Sequence, residues 1–352
     1  MRDAHPLLRP VARAAAWLLV GHLAAAAGSA AADAKPRLGA HVEARYTSNL
    51  FKEQERRLPQ FETRTQPGER YHGMQGPSDV VTTPGLDIGV GWKHHKRKTR
   101  LSLGAEYAVH ARNPNANYLA LELGAAHDVT KRDALSLGLT LTPARFKKNY
   151  AYAEVAGTRF YGEANYLGWG AVLAYERRWT KRWRTELELG LGQKRFDDPF
   201  ANRDENAYSG ALSVRHDPWK RLALTLGVEA GVTQTPDGVE FGVKLERSRF
   251  DAEPSFGVAV DLPRGFGVEA GVAYRIRTYT TDVTNDGGHF DRVDRRWTAE
   301  GQVDKKFGRS FALLLSSSFA DSNADRFDAT EDPNAYGYQE FQVGLGCEYR
   351  FR

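Results

Sequence analysis

The sequence predicts an all-β fold: a transmembrane antiparallel up-and-down β-barrel of about 14 strands (12–16), preceded by a cleaved signal peptide. Three observations carry this. Apolar residues recur at every second position, as in Leu167, Trp169, Ala171, Leu173 and Tyr175, with small, polar or acidic residues between them. Strict alternation makes a strand with two unlike faces. Short basic turns such as Thr180-Lys181-Arg182-Trp183-Arg184 alternate with longer, more acidic connections, a regularity that a soluble sandwich has no reason to keep. Finally, Trp169 and Trp179 lie on one face of one strand, ten residues apart. At ~3.3 Å per residue and a tilt near 40°, that is about 25 Å along a membrane normal, the height of a lipid-facing band.

The chain has 352 residues, 41% of them hydrophobic, with a mean hydropathy of -0.54. No internal apolar run is long enough for a transmembrane helix. A barrel hides its apolar content in alternate positions and reads as hydrophilic on average. The formal charge is +5. The positive charge is spread through turns rather than gathered on one patch, so nucleic acid is not an expected partner. The single cysteine, Cys347, permits no intramolecular disulfide.

Residues 1–32 read as the signal peptide and 33–352 as the barrel. Arg2, Arg9 and Arg13 precede an apolar stretch from Ala14 to Ala27, and Ala30-Ala31-Ala32 offers a cleavage site. Alternation begins at Leu38 and is followed by a long polar segment, Asn49 to Thr82. Strands then pair across basic turns at His95–Lys98 and Thr130–Asp133. An aromatic-rich loop is expected from about Pro143 to Gly162, holding Tyr150, Tyr152, Phe160 and Tyr161 as candidates to stack on sugar rings. The hairpin 165–191 follows, then strands around the turns Asp217–Arg221, Pro263–Gly265 and Lys305–Arg309. Residues 234–253 read equally as a loop or as an outer hairpin. Acidic loops are expected from Thr281 to Asp294 and from Asp321 to Gly337.

Six tryptophans, Trp92, Trp169, Trp179, Trp183, Trp219 and Trp297, are the candidate aromatic girdles. Alternation places Glu106, Glu122, Glu186, Glu188, Glu229, Glu269, Glu300 and Glu348 on the non-lipid face. Lys93, Arg100, Lys194, Arg215, Arg275 and Arg350 share it. Charges cannot sit unpaired in an apolar core. They either line a wet channel and tune its selectivity, or pair across a plugged lumen. A barrel this wide is not easily filled by side chains, which favours the channel.

No nucleophile elbow Gly-x-Ser-x-Gly and no His-Glu-x-x-His occurs, so an enzyme is not expected. Asp321-x-Asn323-x-Asp325 echoes a calcium loop, but Arg326 replaces the turn glycine. No metal and no cofactor is expected.

Residues 33–352 resemble a Gram-negative outer-membrane β-barrel protein of the porin-like kind. The last strand, Phe341-x-Val343-x-Leu345-x-Cys347-x-Tyr349-x-Phe351, resembles the signal read by the barrel-assembly machinery, with Tyr349 and Phe351 as its aromatic end. Arg352 departs from the family pattern, which ends on the aromatic. Tyr46-Thr47-Ser48-Asn49-Leu50-Phe51 is similar to the opening of barrels found with polysaccharide-export systems. The resemblance implies a multi-pass protein of the cell outer membrane in contact with its lipid and lipopolysaccharide. It further implies a channel for a polar solute or polysaccharide, served by a periplasmic polysaccharide-export protein. The alternatives are a structural or adhesive barrel, for which the segment Asn49–Thr82 is suited, and a barrel enzyme acting on lipid or peptide.

Overall fold

An alternating strand needs a partner on each edge and a different environment on each face. The computed structural model describes residues 35–351 apart from 95, 237, 241–242, 285, 287–288 and 326–336, and there the chain meets both needs by closing on itself. The strands are β1 (Lys35–Thr47), β2 (Asp79–His94), β3 (Arg97–His110), β4 (Tyr118–Asp128), β5 (Asp133–Val155), β6 (Thr158–Arg178), β7 (Trp183–Phe196) and β8 (Glu205–Trp219). They continue as β9 (Leu222–Gln234), β10 (Gly238–Glu240), β11 (Val243–Leu245), β12 (Arg249–Leu262), β13 (Phe266–Tyr279), β14 (Val293–Phe307), β15 (Phe311–Asp325) and β16 (Tyr338–Phe351). All but β10 and β11 form one closed barrel of 14 strands, each antiparallel to its neighbours. The seam pairs β1 with β16, Leu38 opposite Phe351 and Thr47 opposite Gln342. The predicted signal peptide lies outside the described residues.

The outward face is apolar along most of the length of the strands. Leu86, Leu189, Leu226 and Leu345 are each more than half exposed. In water such a belt would be far larger than the apolar patches soluble monomers show. In hydrocarbon it is the required surface, and barrel closure leaves no backbone edge unpaired. No described helix is long and apolar enough to cross a membrane; the strands do the crossing.

The described strand ends Lys35 and Phe351 lie with the short turns; in barrels of this kind the short turns face the periplasm and the long connections the outside. The structure corrects the sequence reading in four places. The expected loop from Pro143 to Gly162 is instead continuous strand: β5 and β6 rise to a two-residue turn at Ala156 and Gly157, both in the left-handed region (φ 49 and 78). Register shifts between Thr142 and Arg145, Phe146 and Lys148, and Ala151 and Ala153 interrupt the period there. The stretch around 234–253 resolves into the small β10–β11 hairpin, and β12 begins at Arg249. Asp321, Asn323 and Asp325 stand on β15, not in a loop. The long polar segment folds as described next, and β2 starts within it at Asp79.

Candidate functional site

Residues 48–78 connect β1 to β2 on the outer side, and they fold inward. Phe51, Phe61, Tyr71, Met74, Ala116 and Phe146 form the main cluster of buried apolar side chains, joining this segment to β5. Phe61 stacks on Tyr71 at 4.0 Å and on Phe51 at 5.9 Å, and Phe51 meets Phe146 edge-on at 6.2 Å. The sequence dictates the local shape: a short 3-10 helix, Glu55–Glu62, carries Leu58 and Phe61 to this cluster. Backbone contacts fix it to the wall. Tyr161 N donates to Gly68 O (2.8 Å), Asn149 Nδ2 to His72 O (2.8 Å) and Asn49 Nδ2 to Gln339 O (3.2 Å).

The segment carries two charges of opposite fate. Glu53 is buried, and its carboxylate meets Lys148 (3.0 Å), Arg70 (3.2 Å) and Arg57 (3.8 Å). Burial alone would push its pKa up; the three cations outweigh it and hold the carboxyl below the usual carboxylate range. Lys52, beside it, has a left-handed backbone (φ 53) and turns its amine to Glu340 at 3.9 Å. Burial, with Arg296, Arg275 and Arg145 nearby, pulls the amine below its ordinary value despite Glu340. One residue is an anchor; its neighbour is a cation held out among the arginines of the wall.

Along the strands the inner face is sorted by charge. The half nearest the long connections holds Arg45, Arg145, Lys194, Arg249, Arg275, Arg277 and Arg296. Its acids are all engaged: Glu205 with Lys194 (2.7 Å), Glu253 with Arg275 (2.5 Å) and Asp251 with Arg277 (2.7 Å). The middle is acidic, with Glu43, Asp87, Glu106, Glu122, Glu188, Glu229 and Glu300 on one continuous inner surface. Among the described residues only His41 bridges two of these, reaching Asp87 at 3.2 Å and Glu106 at 3.0 Å. Near the short turns cations return as Lys93, Arg184, Arg215 and Arg350. Glycine and serine lie between the charges, as at Gly124, Gly190 and Gly344 beside Ser102, Ser209 and Ser316.

An apolar belt facing outward, a charged face inward, short turns at one end and long connections at the other leave one environment for this chain. It is a multi-pass outer-membrane β-barrel.

Each inward residue named from the sequence falls on the inner face of the barrel, by register with its neighbours. They do not converge on one point: Glu186, Glu269 and Glu348 sit low, and Lys194 and Arg275 sit high. Of the girdle candidates, Trp169 and Trp297 stand towards the outer end, and Trp179, Trp183 and Trp219 at the short turns, all well exposed. Trp169 and Trp179 direct their Nε1 to Gln193 (3.1 Å) and Thr185 (3.0 Å), an apolar body with a satisfied polar edge. Trp92 differs: it is buried with its register partner Thr99 and presents no open ring there. Tyr349 and Phe351 are exposed at the end of β16, 4.9 Å apart and edge-on.

The aromatic quartet does not form one platform. Tyr150 packs on Phe200 with Arg203 3.5 Å over its ring, Tyr161 lies under Arg70, and Tyr152 faces away, exposed. Sequence reasoning missed Lys52, Glu53, Arg45, Arg145, Lys148 and Arg296. Arg45 and Arg296 keep the inner phase of their strands and were open to the same periodic reading.

No family model and no curated protein matches the barrel. It is similar to solved outer-membrane barrels. A bacterial polysaccharide outer membrane secretin shares 12% identity over 89% of this chain and 98% of that one, with a TM-score of 0.44. For the CymD monoaromatic hydrocarbon channel the figures are 11%, 90%, 88% and 0.48. For the outer membrane channel DcaP of Acinetobacter baumannii they are 9%, 91%, 98% and 0.48.

Proposed function

We propose that this barrel is a passive channel passing a polar solute or polysaccharide across the outer membrane. One observation carries the reading: a closed 14-strand wall lined inside by ionised groups separated by glycine and serine. Ionised side chains with no partner need water beside them, and a water-filled lumen through a membrane conducts. The inward fold of residues 48–78 adds a constriction at the outer mouth and leaves this segment poorly placed to project as an adhesin. Among the described residues no group of three or more His, Cys, Asp or Glu is placed to hold a metal ion, and no catalytic constellation supports a barrel enzyme. On this reading the partners are outer-membrane lipid and lipopolysaccharide, the barrel-assembly machinery and a periplasmic polysaccharide-export protein.

The test is reconstitution into a planar bilayer. Discrete single-channel steps are expected, larger when residues 52–74 are deleted. A folded, inserted barrel that never conducts, with or without that segment, would overturn the proposal.

A further inference from the structure

The outer half of the lumen holds more positive charge than its own acids neutralise. Five of its carboxylates are each in contact with at least one cation: Glu53 with three, Glu205 with Lys194 and Arg249, Asp251 with Arg249 and Arg277, Glu253 with Arg275, and Glu340 with Lys52; Asp79 is held instead by Asn113 and the Arg112 backbone N–H. Arg145 and Arg296, by contrast, have no carboxylate contact among the described residues. Arg296 is the sharper case. It stands directly opposite Arg275 in the β13–β14 register, and its Nε is buried with no hydrogen-bond partner. Like charges directly opposite one another destabilise a sheet, and a buried unpaired donor costs more. Glu253 relieves Arg275, but among the described residues no carboxylate relieves Arg296. A barrel retains such an arrangement where a counter-charge arrives from outside the chain.

The two cations without a carboxylate, and the paired Lys194, sit beside tyrosine rings. The Arg145 guanidinium lies 4.2 Å over Tyr118, Lys194 lies 5.8 Å from Tyr166, and Arg296 lies 6.0 Å from Tyr338. The three tyrosines come from β4, β6 and β16, all on the inner face, so the pairs are spread around the mouth rather than stacked in one corner. A cation beside an aromatic face suits a ligand that alternates a carboxylate with an apolar ring surface. Lys52 is presented to the same space between two buried anchors, Phe51 and Glu53.

We infer that the outer half of the lumen is a binding site for an acidic glycan, a sugar polymer bearing carboxylates, with Arg145, Arg296 and Lys52 supplying the counter-charge and Tyr118 and Tyr338 the ring contacts. The inference deepens the channel reading by naming the solute class, and it rests on that reading only for how the glycan moves through. The acidic belt lies further down the wall, more than a screening length of about 8 Å from much of this site; the outer half, which residues 48–78 enter, sets the selection.

The experiment is isothermal titration of the detergent-purified, full barrel with three probes of equal length: an oligogalacturonate, a neutral malto-oligosaccharide and inorganic polyphosphate. The oligogalacturonate is expected to bind, to weaken as salt is raised, and to lose about tenfold or more in affinity in the double variant Arg145→Gln/Arg296→Gln. Tyr338→Leu is expected to weaken the glycan and leave polyphosphate unchanged, which separates ring contact from charge. Should the double variant fail to fold, Lys52→Gln carries the charge test alone, with a smaller loss. Equal binding of the neutral sugar, or no effect of any variant, would overturn the inference. Polyphosphate binding as well as the uronate, with Tyr338→Leu silent, would overturn the glycan assignment. Binding without conductance would remove the channel reading and leave the site; conductance without binding would do the reverse.

Discussion

Lys148 Nζ donates to Glu53 Oε1 at 3.0 Å, and that bond ties the wall of the barrel to the segment lying across its mouth. Glu53 also accepts from Arg70, and both cations are mostly covered. Removing one partner from a buried ion pair costs about 3–5 kcal/mol, because the remaining charges lose their neutraliser. Glu53→Gln is therefore expected to release residues 48–78 while the barrel persists. Single-channel recording checks this: conductance should rise and become noisier at neutral pH.

The same carboxyl predicts a pH response. Its folded pKa is depressed, so its contribution is complete above the unfolded value of about 4.3 and is lost as pH falls through the folded value. Wild-type conductance should hold steady from neutral pH to about 5 and climb only below about 4. In Glu53→Gln that climb should be absent, since the change has already happened.

Phe61 holds the segment by packing rather than charge, stacked between Phe51 and Tyr71. Phe61→Ala should cost about 3–5 kcal/mol locally. The loss falls on a cluster at the outer end of the barrel, apart from the strand ladder, so the segment opens without unfolding the barrel. Faster tryptic cleavage between Arg56 and Arg70, with the heat-modifiable gel shift of the intact barrel retained, is the expected result.

Leu189 and Glu188 are consecutive and face opposite media. Leu189→Arg places a charge in hydrocarbon at a cost of about 2–4 kcal/mol, depending on depth. Glu188→Ala, on the wet side, should cost little. Urea unfolding in lipid vesicles compares the two; similar losses would mean that the outward face is not the lipid face.

Ala156 has φ 49 in a two-residue turn with Gly157. This turn favours Asn or Gly at its first position. Ala156→Asn should stabilise the β5–β6 hairpin by up to about 1 kcal/mol, read as a higher urea midpoint with unchanged conductance.

The membrane-spanning part of the fold was legible because hydrocarbon and water impose opposite demands on adjacent residues. Once β5 and β6 rise past the outer girdle, both faces meet water or loop, the demand lapses, and Tyr150, Tyr152 and Tyr161 no longer mark one side. Three register shifts remove what period is left. That is why the sequence places Lys148 and Arg145 in a loop while Lys194, on regular β7, keeps the inner-face phase. The 48–78 segment was illegible for another reason. Phe51, Phe61, Tyr71 and Met74 follow no period, and their common cluster exists only once Phe146 is delivered by a strand almost a hundred residues away in sequence.

Ser48 N donates to Phe341 O at 2.9 Å and Ser48 Oγ receives Phe341 N at 2.8 Å. The root of the inward segment is thus clasped by the last strand the chain makes. Contacts between such distant parts of a sequence form late. During assembly the wall would exist as an open sheet until β16 docks, so closing the cylinder and fixing the segment across its mouth are a single event.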